Sequence, residues 1–63
     1  MDLGQNIAKY RKLNNLTQEK FADELNVSRQ TVYKWEASLR KPKLDKLKKI
    51  IEILKITYED LLE

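Results

Sequence analysis

The chain has 63 residues, well under the roughly 150 of a useful one-domain prior, so a single domain over 1–63 is expected, with no second one appended. With 41% hydrophobic and 37% charged residues it is too apolar for a disordered tail and too charged for a membrane span, and one Gly and one Pro point to helices. Thirteen Lys and Arg against ten Asp and Glu give +3, and the absence of His and Cys removes the imidazole base, the thiolate nucleophile and the usual zinc and iron–sulfur ligands, so neither an enzyme nor a cofactor is expected.

Asp2 is placed to cap a first helix over roughly 3–13, with Gln5 at capping-box spacing and Leu3, Ile7, Tyr10 and Arg11 recurring on one face. Asn14 and Asn15 interrupt it, because their side chains compete for backbone hydrogen bonds and tolerate left-handed conformations. Thr17 caps a second helix, QEKFADEL, whose inner stripe is Phe21, Ala22 and Leu25 and which Asn26 closes. Ser28 caps a third, with Val32 and Trp35 inward and Arg29, Gln30, Thr31, Tyr33 and Lys34 outward. Residues 37–43 read as a loop ending near Pro42. Leu44, Leu47, Ile50, Ile51 and Leu54 then mark a fourth helix running through Lys55. Thr57 and Asp60 cap a last short helix expected to send Leu61 and Leu62 into the core.

Charge is distributed unevenly along these elements. Residues 28–49 hold eight basic and two acidic residues, whereas 50–63 hold one and four, which points to a positive face turned toward a polyanion. Asn15-Leu16-Thr17 and Asn26-Val27-Ser28 match the glycosylation tripeptide, but no secretory signal is present and the hydroxyl residues read as helix caps. A cytoplasmic protein of bacterial or phage type is expected.

The segment LTQEKFADELNVSRQTVYKWE, residues 16–36, is two capped helices joined by a three-to-four-residue turn, with the small Ala22 where steeply crossing helices meet. With the flanking IAKYRK, RKP, LKKIIEILKI and YEDLL, the chain resembles the Cro and phage-repressor type helix-turn-helix family, also called lambda repressor-like or XRE, over nearly its whole length. The resemblance implies an all-α, compact five-helix bundle with the motif at about 17–36. Its third helix, 28–36, would read the major groove of double-stranded DNA through Arg29, Gln30, Thr31, Tyr33 and Lys34. The chemistry agrees: Arg and Lys address guanine, Gln pairs with adenine, and the Thr methyl meets the thymine methyl. The resemblance further implies that Gln18 anchors a phosphate, where Arg40, Lys41 and Lys43 also fit, and that Arg11 and Glu36 form a partly buried ion pair.

Two departures bear on the loop after the third helix. Asn26 and Ser38 stand where relatives commonly carry Gly; Asn accepts the left-handed conformation readily and Ser less well, so the path of 37–41 is expected to differ, while Lys43 replaces the hydroxyl or acidic cap expected before the fourth helix, with Asp45 left to meet its dipole. The function expected is a sequence-specific transcriptional regulator, a repressor by expectation. It would act as a homodimer at least on DNA, on a pseudo-palindromic operator, with Leu39, Ile56 and Tyr58 between the copies. An antitoxin-like protein-interaction module with secondary DNA binding is the alternative. Membrane association through KLDKLKKIIEILK is set aside because the core needs that apolar stripe, and no small-molecule substrate is expected.

Overall fold

The computed structural model describes residues 2–63 as five α-helices, with no strand among the described residues: α1 (Leu3–Leu13), α2 (Gln18–Leu25), α3 (Arg29–Glu36), α4 (Leu44–Leu54) and α5 (Tyr58–Leu62). Short polar side chains start four of them by accepting orphan amides of the first turn. Asp2 accepts from Gly4 N at 2.9 Å, Thr17 from Lys20 N at 3.0 Å and Ser28 from Thr31 N at 3.1 Å. Thr57 and Asp60 complete a reciprocal capping box. No such box forms at α1, where Gln5 is exposed and Asp2 turns instead toward Gly4 and Ser38. Helix α4 starts at Lys43 without a side-chain cap, leaving Asp45 in its first turn to meet the helix dipole.

Each of the first four helices ends at a non-glycine residue in the left-handed region, Asn15 (φ 58°), Asn26 (φ 58°), Ser38 (φ 62°) and Lys55 (φ 59°). Lys55 is therefore the reversal that stops α4 and not its last helical residue. The single glycine does a different task. A Cβ on Gly4 would stand 2.3 Å from the Trp35 carbonyl oxygen and 2.9 Å from that of Glu36, so α1 rests its backbone directly on the last turn of α3.

Ile7, Phe21, Ala22, Leu25, Val32, Trp35, Ile50, Leu54 and Leu61 form one buried cluster contributed by all five helices. Helix α3 lies against both α1 and α2, α5 closes on α1, and α4 closes on α2. Asn6, buried in α1, donates through Nδ2 to the Leu61 carbonyl at 2.6 Å and so fastens α5. Two apolar residues expected inside are outside: Leu44 is 62% and Leu62 68% exposed. Leu44 is the first residue of α4, and Leu62 follows the buried Leu61 about 100° further round α5, which turns it away from the core.

Candidate nucleic-acid interface

The turn of the motif is built by Asn26. Its left-handed backbone lets Val27 N reach back to the Ala22 carbonyl at 3.1 Å, and Ser28 then opens α3 at once. Ala22, 2% exposed, allows the two helices this approach. Val32 and Trp35 are buried, so the indole belongs to the core, as its spacing predicts. Their burial fixes the rotation of α3 and turns Arg29, Gln30, Tyr33 and Lys34 outward, all exposed. Thr31 differs from these four. It is half-buried, with its hydroxyl 3.0 Å from Ser28 Oγ, and sits beside the turn instead of at the crest of the helix.

The orientation of α3 is held from behind by one charged network. Arg11 Nε donates to Glu36 Oε2 at 2.6 Å and Nη2 to Oε1 at 3.1 Å, and the two side chains are only 9% and 8% exposed. The third arm, Nη1, donates to the Leu16 carbonyl at 2.6 Å, just ahead of α2. One guanidinium thus ties α1 to the start of α2 and to the end of α3, with the planar geometry that suits Arg to paired acceptors. Gln18 joins the same carboxylate, its Nε2 donating to Glu36 Oε1 at 3.0 Å. The side chain expected to anchor a phosphate is therefore held by a bond that sequence reasoning did not foresee. Its amide keeps a second N–H beside the exposed first-turn amides of α2.

Arg40, Lys41 and Lys43 are exposed in the segment between α3 and α4. With Lys46 they line a groove whose other walls are Val27, Thr31 and Trp35. Four cations and no carboxylate are among the residues that line this groove, which meets α3 at Thr31 and Trp35. Lys46 was not singled out from the sequence, where it is one lysine among several on a charged helix. Its Nζ donates to the Leu25 carbonyl at 3.0 Å and so places a cation on the negative end of α2.

Ser38 adopts the left-handed conformation that glycine would fill in relatives, and its hydroxyl donates to Asp2 Oδ1 at 2.6 Å. That bond, followed by the backbone amides of Gly4 and Gln5 and the N-terminal charge, holds the Asp2 carboxyl below its ordinary value of 3.8 against an opposing effect of burial. Of the side chains expected between copies, Leu39 is 69% exposed. Ile56 and Tyr58 are half-buried, and the Tyr58 hydroxyl is buried without a partner among the described residues.

Comparison with known proteins agrees with this architecture. A family model described as Helix-turn-helix matches residues 7–61. Over 62 residues, 98% of this chain, the sequence is 36% identical to the HTH-type transcriptional activator BcrR of Enterococcus faecalis, and the chain spans 30% of that protein's length. Among solved structures, SinR, the master regulator for biofilm formation in complex with DNA, matches with a TM-score of 0.86 and 26% identity, covering 97% of this chain and 98% of that one. With two capped helices about a left-handed Asn26 and a family match over most of its length, the chain belongs to the XRE-type helix-turn-helix family of DNA-binding transcription regulators.

Proposed function

We propose that residues 1–63 form a DNA-binding domain, with its motif at about 17–36, that reads a specific duplex sequence by seating α3 in the major groove. The observation that carries this reading is the division of α3. Val32 and Trp35 lock one side into the core, Arg29, Gln30, Tyr33 and Lys34 stand exposed, and Thr31 and Trp35 of the same helix border a groove lined by four cations. Eight helical residues extend about 12 Å, matched to a major groove about 12 Å wide. Arg29 and Lys34 offer donors for guanine and Gln30 a donor–acceptor pair for adenine, with the Thr31 methyl contributing from the edge of the turn. Gln18, Arg40, Lys41 and Lys43 address phosphates, which set register without reading sequence.

The five helices span 25 × 22 × 20 Å, less than the roughly 34 Å of one DNA turn, so one copy covers a single half-site. Two copies on a pseudo-palindromic operator, meeting through Leu39, Ile56 and Tyr58, read a longer one. The sign of regulation follows from where the operator lies relative to a promoter. The activator role of BcrR gives no support to expecting a repressor.

Selection of bound duplexes from a random pool, repeated at several salt concentrations, tests the reading. A selected site with repeated half-sites is expected, and affinity should fall linearly on a log–log salt plot by about 0.9 per phosphate neutralised. Arg29→Ala should cost about 1–3 kcal/mol on the best site and relax one base position, whereas Lys41→Ala should weaken good and poor sites alike. Equal, uniform losses from both substitutions in folded protein would remove α3 as the reading element.

A further inference from the structure

We infer that Asp2 and Ser38 form a latch between the start of α1 and the end of α3 that holds the basic loop in its phosphate-binding position. Both are then positioning residues of the DNA surface. The inference rests on the phosphate-binding role proposed above for Arg40 and Lys41, and the geometry is local. Asp2 Oδ1 accepts from Gly4 N at 2.9 Å and from Ser38 Oγ at 2.6 Å, so one oxygen both caps α1 and grips the residue that follows α3.

Ser38 carries a cost that calls for a reason. A side-chain-bearing residue at φ 62° is disfavoured relative to glycine, and glycine at this turn would also terminate α3. Glycine, however, has no hydroxyl to reach Asp2. What the hydroxyl fixes is the exit of the loop. Leu39 N and Arg40 N both turn back to the Lys34 carbonyl, at 2.9 and 3.3 Å, so the segment folds over the last turn of α3 before running out to Lys43. Pro42, buried, is the second anchor. Arg40 and Lys41 lie between the two anchors and line, with Asp2 and Gly4, one groove against α1. A loop pinned at both ends presents its two cations in one arrangement. Pinned only at Pro42, it must be ordered when DNA binds, and affinity falls by that ordering.

Ser38→Gly separates the latch from the fold, because glycine relieves the backbone while removing the hydroxyl. Exchange of the Leu39 and Arg40 amides should quicken about fivefold, and affinity for the selected duplex should drop about threefold to tenfold. The loss should be equal on the best site and its single-base variants, with the melting temperature held or raised. Asp2→Asn keeps an acceptor oxygen for both donors and should preserve affinity. In an Arg40→Ala/Lys41→Ala background, Ser38→Gly should have no further effect on DNA. Unchanged exchange and affinity in Ser38→Gly, or a loss that persists in that background, overturns the latch while leaving DNA recognition by α3 standing. Wild-type protein that binds no selected duplex overturns the DNA reading and this use of the latch together.

Discussion

Glu36 is the residue whose removal tests the orientation of α3 most directly. Its carboxylate accepts from two arms of Arg11 and from Gln18, and in Glu36→Ala the guanidinium keeps only the Leu16 carbonyl. Stranding one member of a buried pair costs about 3–5 kcal/mol, and side chains that keep 8–9% of their exposure belong at the low end. A domain of 63 residues has roughly 3–9 kcal/mol of stability in total, so a loss near 3 kcal/mol is a large share of it. By circular dichroism the melting temperature should fall by roughly 12–24 °C. Arg11→Met combined with Glu36→Leu replaces both charges by apolar groups and should recover most of the loss, although Gln18 then lacks its acceptor and phosphate affinity should stay low. A double-mutant cycle of Arg11→Ala, Glu36→Ala and the two together measures the coupling. If Arg11→Ala and Glu36→Ala each cost under about 1 kcal/mol and their effects add, the pair behaves as solvated surface charge and the clamp does not exist.

Gly4→Ala should destabilise by about 1–3 kcal/mol despite the usual gain of alanine inside a helix, since its Cβ meets the Trp35 carbonyl; a raised melting temperature would contradict the close approach. Asn6→Ala leaves the Leu61 carbonyl unpaired and should cost about 1–3 kcal/mol, with amide exchange quickening first in α5; uniform quickening would refute a local fastening. Lys55→Gly relieves a left-handed lysine whose side chain has no hydrogen bond among the described residues and should stabilise by about 0.5–1 kcal/mol, read by urea unfolding. The Asp2 carboxyl, depressed chiefly by Ser38, contributes stability that is present above its ordinary 3.8 and is lost as pH falls through its lower folded value. In Ser38→Gly an NMR titration should find that carboxyl moved up toward 3.8, and no movement would detach it from Ser38.

Local chemistry made the elements legible. Thr17, Ser28 and the Thr57–Asp60 box start helices where their side chains can reach an amide three residues on, and Asn26 closes α2 by tolerating a conformation most residues avoid. The pairing of Arg11 with Glu36, 25 residues apart, came from the family resemblance and not from spacing. What stayed hidden depends on where elements end against one another. Apolar character alone assigns Leu44 and Leu62 to the core but cannot say that the first turn of α4 leaves Leu44 exposed or that only Leu61 of the adjacent pair in α5 faces inward. Asn6 and Lys46 look like ordinary polar helix residues, and each gains its role from a carbonyl 21 or 55 positions away; Gln18, expected at a phosphate, gains a second partner in a carboxylate 18 positions away. Nothing in the spacing of the first helix marks Gly4, whose task is set by the last turn of α3 lying against it.

The four left-handed residues show how stability and binding are divided in this fold. Each ends a helix, and none is glycine, although glycine meets that conformation at least cost. At Asn15 and Asn26 the short amide tolerates the strain, and at Lys55 nothing among the described side-chain bonds compensates it. Ser38 alone exchanges the strain for a contact with another element, through Asp2. The same substitution is therefore expected to act alike on stability and differently on binding at two similar turns. Glycine at 55 raises stability and leaves the DNA face alone, whereas glycine at 38 holds or raises stability while releasing Arg40 and Lys41. Natural chains sit just above the stability they need, so a strained serine is tolerated where its hydroxyl serves binding. A turn that resists its most stabilising residue marks the place where this chain favours a fixed loop over a relaxed backbone.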